Sequence, residues 1–523
     1  MIPGKNLSAR VLAAATVAIL ITGIGLAVPA QAGASSTYTV TTNPFAAATG
    51  WLASQLVGPS HLPSPAGDHL DQSFGGQSSP NFGATADLVL GLAAGKSAHS
   101  KLATALAYLG SHVEDYTDYS NATGYGPFDG SLGKLAVTAI VGGGDARDFG
   151  GVNLVGQLKH DECQPAATTC TPGAAANIYS SISESFVIMA QARTGGEYAP
   201  SADAVAYLLS LQCTSGGFTA NVTACGSGAA DIDATSYALM ALQTVQGHAG
   251  ERSAAGRWLS GQQHSGGYWM SQDAANPNST GLAAAALAGE GVDVASARAW
   301  LRSQQVPAGR PGAGAIKYAG AVTPTTTTAT SPSVLATAQS LCGLAEDGSL
   351  STLTASSAVD DLPVFAPAAD LSAQTARAGA TQTATGYGFV AGEQVRAVVR
   401  SSPVTVGTAT ASPLGVVKLA YRLSSSLEAG THTLTLTGLA SGLEAVERFT
   451  VPDAQGSASS APSSATQTSS ATQTSSATVA PQAAPIAATG QDGRWLTELA
   501  LIGAAALLGG AALVLTARRR RWH

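Results

Sequence analysis

Two carboxylates one residue apart, Asp231 and Asp233 in Asp231-Ile232-Asp233-Ala234, are the nearest approach to an acid–base pair in this sequence. Paired carboxyls transfer protons when their surroundings set their pKa values apart. Asp231, however, stands where a helical pattern begins, and Asp readily accepts a hydrogen bond from the free N–H groups of a first turn. Capping accounts for Asp231 without a reaction, and no catalytic residue is assigned. Asp233 is kept as a ligand contact together with Thr85, Thr235 and Thr280, three threonines in one register near helix starts. They are expected to line the mouth of whatever space the helices enclose, although Thr at a helix start also bonds its own backbone. Residues 114–119, with Asp115, Tyr116, Asp118 and Tyr119, read as a solvated loop, as do Asp145, Arg147 and Asp148.

The soft ligands point to structure. Cys163 and Cys170 lie seven apart in a Pro/Thr-rich loop, and Cys213 and Cys225 lie twelve apart around Gly216-Gly217-Phe218. In an exported chain such short-range pairs are disulfides. Cys342, inside an Ala/Leu helical pattern, reads as a buried free thiol. The nine histidines are scattered and none stands beside paired cysteines, so neither a metal nor a cofactor is expected.

Residues 33–366 carry 12 Lys/Arg against 24 Asp/Glu, a net charge of −12. Phosphate backbones require a basic face, so nucleic acid is excluded as a partner. The chain is 45% hydrophobic, which excludes disorder throughout, but only 6% aromatic, so its interior is built from small side chains.

An internal repeat supplies the elements that position these residues. An aromatic-Leu pair followed by Gln recurs as Trp51-Leu52, Tyr207-Leu208, Trp258-Leu259 and Trp300-Leu301, with weaker copies at Tyr108-Leu109 and Asn153-Leu154. Each copy is followed by a second helical run opened by a polar residue: Asn81, Asp129, Ser180, Asp231, Asn276 and Ser331. Runs such as 238–242 and 282–287 are apolar on nearly every side, the mark of a helix buried all round. A period near 50 made of helix pairs predicts six inner and six outer helices, an (α/α)6 toroid over residues 44–350.

The arrangement resembles the prenyltransferase and squalene-cyclase repeat superfamily. Residues 212–218 (Gln212 to Phe218) and 263–269 (Gln263 to Trp269) are similar to its Gln-Trp turn motif. The resemblance implies the fold more than an activity. Class II terpene cyclases use an Asp-x-Asp-Asp motif, and here Ala234 replaces the last carboxylate. Protein prenyltransferases hold zinc with an Asp and a Cys two residues on, where this chain has Asp233. The Cys-Gly-Glu-Gln run of thioester domains is absent. What remains is a non-catalytic carrier or receptor with a small-molecule or glycan ligand. An extracellular enzyme acting on isoprenoid or polysaccharide and an adhesion module without a cavity ligand are the alternatives.

After the helices, residues 363–452 alternate in strands separated by Gly/Ser/Pro turns, which predicts an Ig-like β-sandwich. The ends set the compartment. Residues 1–32, with Lys5 and Arg10 before an apolar run and Ala30-Gln31-Ala32 at its end, have the parts of a signal peptide. Residues 499–517 are long and apolar enough to span a bilayer, and the arginines of the tail, 518–523, keep that end inside. Residues 453–484, rich in Ser, Thr, Ala and Gln, read as a disordered stalk. Between stalk and span, Pro485-Ile486-Ala487-Ala488-Thr489-Gly490 resembles the sorting signals of Gram-positive wall-anchored proteins. There a sortase cuts between Thr and Gly, here Thr489 and Gly490, although the usual leucine is Ile486. The expectation is a surface protein held by its C-terminus, with the cell wall and the membrane as partners.

Overall fold

The computed structural model describes residues 37–453, apart from 75–76, 119–126, 168, 223–224, 226–229, 272, 319–330, 356–358 and 402. The expected signal peptide, sorting motif, span and basic tail lie outside the described residues, as does the stalk except for Asp453. Among the described residues no helix is long and apolar enough to cross a membrane.

Alanine- and leucine-rich runs behind a polar residue form helices, because they lose little side-chain freedom there and their first turn is capped. Twelve helices of eight residues or more are present among the described residues: Pro44–Ala53 (α1), Phe82–Gly95 (α2), His99–Ser111 (α3), Asp129–Val141 (α4), Leu154–Asp161 (α5), Ser181–Thr194 (α6), Ala202–Ser210 (α7), Ile232–Thr244 (α8), Ala249–Gln262 (α9), Pro277–Gly289 (α10), Ala295–Ser303 (α11) and Ser331–Leu344 (α12). The even-numbered helices form a closed ring, each packed against the next and α12 against α2. The odd-numbered helices lie outside it. Thus α1 bridges α12 and α2, α3 bridges α2 and α4, α5 bridges α4 and α6, α9 bridges α8 and α10, and α11 bridges α10 and α12.

Four of the six expected caps are made by the residues expected. Asn81, Ser180, Asp231 and Asn276 each accept from an N–H in the first turn of their helix. Two differ. At α4 the cap position is Phe128, and Asp129, the first helical residue, turns its carboxylate to the loop amide of Ala176. On α12 the register set by the threonines falls on Ser333, two residues beyond Ser331. The weak copy Asn153-Leu154 is also displaced: Asn153 caps α5 and Leu154 opens it, whereas the other pairs sit near the ends of their helices.

Glycines let each repeat touch the next. Gly173, Gly216, Gly267 and Gly314 all have φ between +81° and +101°. A Cβ on Gly216 would lie 2.5 Å from the carbonyl oxygen of Ala254 on α9, and one on Gly314 would lie 2.7 Å from that of Ala47 on α1. A side chain at either position would meet both a strained backbone and the neighbouring outer helix. Glutamines lock three of these turns. Gln212 Nε2 donates to the carbonyls of Gly216 and Glu251, and Gln263 Nε2 donates to the Gly267 carbonyl and to Ser296 Oγ. Gln305 Nε2 donates to the carbonyls of Gly314 and Pro44, which joins the last repeat to the first helix.

The ring is filled. Residues 277–287 of α10 are buried without a break, as are 85–95 of α2 and 234–242 of α8. Small residues bring the helices close: a Cβ on Gly91 would meet the backbone of Ala338, and one on Gly133 that of Val187. Residues 349–355 then cross one end. Arg193 donates to the carbonyls of Leu350 and Leu353, Ser349 and Ser351 donate to Gln243, and Ala355 N–H donates to Val141.

Strand Thr37–Thr41 (β1) pairs in parallel with Asp361–Phe365 (β4), tying the start of α1 to the chain that leaves the ring. Between them, Asp71–Phe74 (β2) and Gln77–Pro80 (β3) form a hairpin ahead of α2. The sandwich therefore begins at Ala368 rather than at 363, since β4 belongs to the pair with β1. Its strands are Ala368–Leu371 (β5), Thr381–Tyr387 (β6), Gln394–Val399 (β7), Val404–Thr410 (β8), Val417–Arg422 (β9), Gly430–Gly438 (β10) and Glu444–Val451 (β11). They make two sheets, ordered β9-β6-β5 and β8-β7-β10-β11, around Val395, Ala397, Leu434, Leu436 and Phe449. Burial alternates most clearly along β6 and β9, whose inward side chains contribute to that two-sheet core.

Candidate functional site

The three threonines expected at a mouth are fully buried, and their hydroxyls are committed to backbone. Thr235 Oγ1 donates to the Asp231 carbonyl (2.6 Å) and accepts from Phe218 N–H (2.8 Å). Thr85 does the same between Asn81 and Leu70, and Thr280 accepts from Trp269 N–H. Thr337, which sequence reasoning passed over, bridges Ser333 and Ile316 in the same way. Each hydroxyl staples the loop entering an inner helix to that helix's first turn. A ligand contact there would have to break the staple.

In the third repeat the equivalent position, four residues past the cap Ser180, is Glu184. Its Oε2 accepts from Ala175 N–H at 3.2 Å, where the other repeats offer a hydroxyl. Glu184 is fully buried, and burial, with Asp129 and Glu162 nearby, pushes its carboxyl up to about 8. Asp129, also fully buried, accepts from Ala176 N–H at 2.7 Å and is likewise pushed up to about 8, chiefly by burial and further by Asp161. This raised-pKa pair can hold protons at neutral pH. Its location was legible as Ser180 plus four, but an acid in a threonine's place gives no helical-period signal.

Asp231 Oδ1 accepts from Ala234 N–H at 2.9 Å, the geometry of a cap. Asp233 lies half-buried in the first turn of α8. Along the inner faces of neighbouring helices, Lys134 of α4 pairs with Asp87 of α2 at 2.8 Å, and its ammonium is 6.0 Å from the Phe186 ring. Phe186 of α6 in turn lies 4.9 Å from Tyr237 of α8. A largely buried pair satisfied in this way fixes register rather than offering a reactive charge.

Both expected disulfides are present, Cys163–Cys170 and Cys213–Cys225, and Cys342 is a buried free thiol pushed up to about 12 by burial. Two disulfides suit an oxidising, extracellular environment. Asp145, Arg147 and Asp148 are exposed as expected, with Asp145 and Arg147 paired.

The histidines are not all scattered. His61, His69 and Asp71, on the loop between α1 and α2 and at the start of β2, place one ligand atom each within 4.8 Å of one another. His69 Nδ1 lies 2.6 Å from Asp68 Oδ1, and its ring stacks on Tyr108 of α3 at 4.3 Å and 9°. All three residues fall within eleven positions, so their spacing was visible. What the sequence hid is that the loop doubles back, with Val57 pairing to both Pro63 and His69.

No family model matches the chain, and no curated protein matches it. Among solved structures it is similar to a protein from Actinoplanes at 18% identity, covering 58% of this chain and 98% of that one with a TM-score of 0.40. It is also similar to an apo type II terpene cyclase from Scytonema at 16% identity, covering 59% and 97%, with a TM-score of 0.39.

Proposed function

We propose that this protein is a surface-displayed, non-catalytic interaction module, an (α/α)6 toroid of the prenyltransferase and squalene-cyclase type carried on an Ig-like sandwich. One observation carries the reading: the inner helices α2, α8 and α10 are buried without a break over nine to eleven consecutive residues. A helix lining an open lumen would show an accessible face every three or four residues. A polyprenyl chain has no room among these side chains, and Asp231, where a cyclase would begin its acid motif, caps a helix instead. Binding then falls to the outer surface and the loops, not to a pocket inside the ring. The N-terminal signal, the stalk, the sorting motif at Thr489-Gly490 and the span at 499–517 supply export and attachment, and the disulfides agree with that compartment.

The test has two parts. Purified full chain is assayed for turnover of squalene and of a polyprenyl diphosphate, with none expected; turnover that Asp233→Asn abolishes would make Asp233 the acid and end the non-catalytic reading. In cells, deleting 499–523 is expected to release the protein into the medium, and Thr489→Ala to leave it extractable by detergent. Wild-type protein that detergent extracts completely would replace wall attachment by a plain membrane anchor.

A further inference from the structure

We propose that His61, His69 and Asp71 bind one divalent transition-metal ion of the zinc type. The site lies on the loop between α1 and α2, outside the packed ring, and is independent of the reading above.

His69 is held on two sides. Its side chain is 8% exposed, clamped by Tyr108 on one face and held at its backbone by Val57 N–H, which donates to the His69 carbonyl at 2.7 Å. Nδ1 faces the Asp68 carboxylate at 2.6 Å, so Nδ1 carries the proton and donates it. In a neutral ring Nε2 then presents a lone pair, and what it faces is Asp71 Oδ1 at 3.3 Å. Both atoms are buried and neither makes a hydrogen bond. Two acceptors aimed at each other away from water repel, and a cation between them turns that repulsion into two bonds.

The spacing fits a metal. Two ligand atoms at ~2.0–2.1 Å from a tetrahedral ion are roughly 3.3–3.4 Å apart. A charge-assisted N–H···O bond would instead close to ~2.7–2.9 Å. Asp71 turns its other oxygen to His61 Nδ1 at 2.7 Å, which brings the third donor to the same carboxylate. The three ligand atoms lie within 4.8 Å of one another, and His61, its side chain 45% exposed, is the member free to move inward as an ion replaces its proton. Two imidazoles and one carboxylate favour zinc-like ions over calcium or magnesium, which prefer all-oxygen sets. Asp68 on the far nitrogen of His69 is the outer carboxylate that orients a ligating histidine. Three protein donors leave a fourth tetrahedral position for water.

The ion would pin a loop that matters to the assembly. Lys101 of α3 donates to the Pro65 carbonyl, and Gly392 of the sandwich lies so close to Pro63 that a Cβ there would overlap its carbonyl. Loading the site is therefore expected to raise the unfolding temperature of the full chain.

The experiment titrates chelator-stripped full chain with Zn2+ and with Co2+, whose visible absorption reports its coordination. About one ion per chain is expected, with a four- or five-coordinate Co2+ spectrum that excess Zn2+ abolishes. Asp68→Asn should weaken binding ~10–100-fold, and His61→Ala and Asp71→Asn should weaken it at least as much. His264→Ala, which alters a histidine stacked on Tyr268 elsewhere, should change nothing. The disulfide cysteines and buried Cys342 do not compete for the probe. His61→Ala keeps the test decisive if His69 variants fail to fold, because its side chain is 45% exposed. Sub-stoichiometric Co2+ binding by wild type, or wild-type affinity in His61→Ala, overturns the proposal.

Discussion

In the fourth repeat the N–H of Phe218 meets the hydroxyl of Thr235; in the third, the N–H of Ala175, also two residues beyond a glycine at positive φ, meets the carboxyl of Glu184. The two positions perform one task, accepting a hydrogen bond from the loop that enters an inner helix. They differ in how they respond to protons. A hydroxyl accepts at any ordinary pH, whereas the buried carboxyl is held neutral and its ordinary value of 4.5 is raised to about 8. An acid whose folded pKa lies above its unfolded one binds its proton more tightly in the native state. Between roughly pH 4.5 and 8 the unfolded chain loses that proton and the native chain keeps it, so stability falls as pH rises through this window and levels off above it. Asp129 adds to the fall with the same sign.

The sharpest way to test whether the repeats are equivalent is to break the glycine they share. Gly173→Ala and Gly216→Ala should each destabilise by about 3 kcal/mol or more, from a left-handed backbone plus a clash with the next outer helix. Denaturant unfolding followed by tryptophan fluorescence checks this. A large loss in one repeat and none in the other would show that the turns are not the same device.

Glu184→Gln comes next. Wild type should lose a few kcal/mol of stability between pH 5 and pH 8.5. The Gln variant, which keeps an acceptor and has no proton to lose, should be clearly flatter and more stable than wild type at pH 8.5. Melting temperatures at pH 5, 7 and 8.5 measure it, and parallel curves for the two proteins would remove Glu184 from the account.

Thr235→Val makes the complementary change in the fourth repeat. It leaves the Phe218 N–H without its buried acceptor and should cost about 1–3 kcal/mol, by the same amount at pH 5 and pH 8.5. A pH-dependent loss would contradict the contrast between hydroxyl and carboxyl.

The smallest effects belong to Asp231. Replacing it by Ala should cost about 1 kcal/mol and by Asn only a few tenths, since Asn81 and Asn276 already cap α2 and α10. A loss in the Asn variant as large as in the Ala variant would mean that the charge of Asp231, and not its capping oxygen, matters.

What depends on near neighbours is legible in the order of the residues alone. Helix pairs followed from Ala/Leu periodicity, four of the six caps from a polar residue ahead of an apolar run, the disulfides from short spacing inside loops, and the later strands from alternation. Each is decided within a dozen residues, where propensity and spacing act directly. The tertiary structure decided what depends on distance across the fold. It closed the ring through Gln305 and Pro44, residues 261 positions apart, and buried long stretches of α2, α8 and α10 on every side. It buried Thr85, Thr235 and Thr280, and it placed Asp129 against the amide of Ala176, a loop partner that no cap pattern names. It also turned His69 Nε2 toward Asp71, because stacking on Tyr108 and the backbone of Val57 fix that ring in a loop with no period of its own to read.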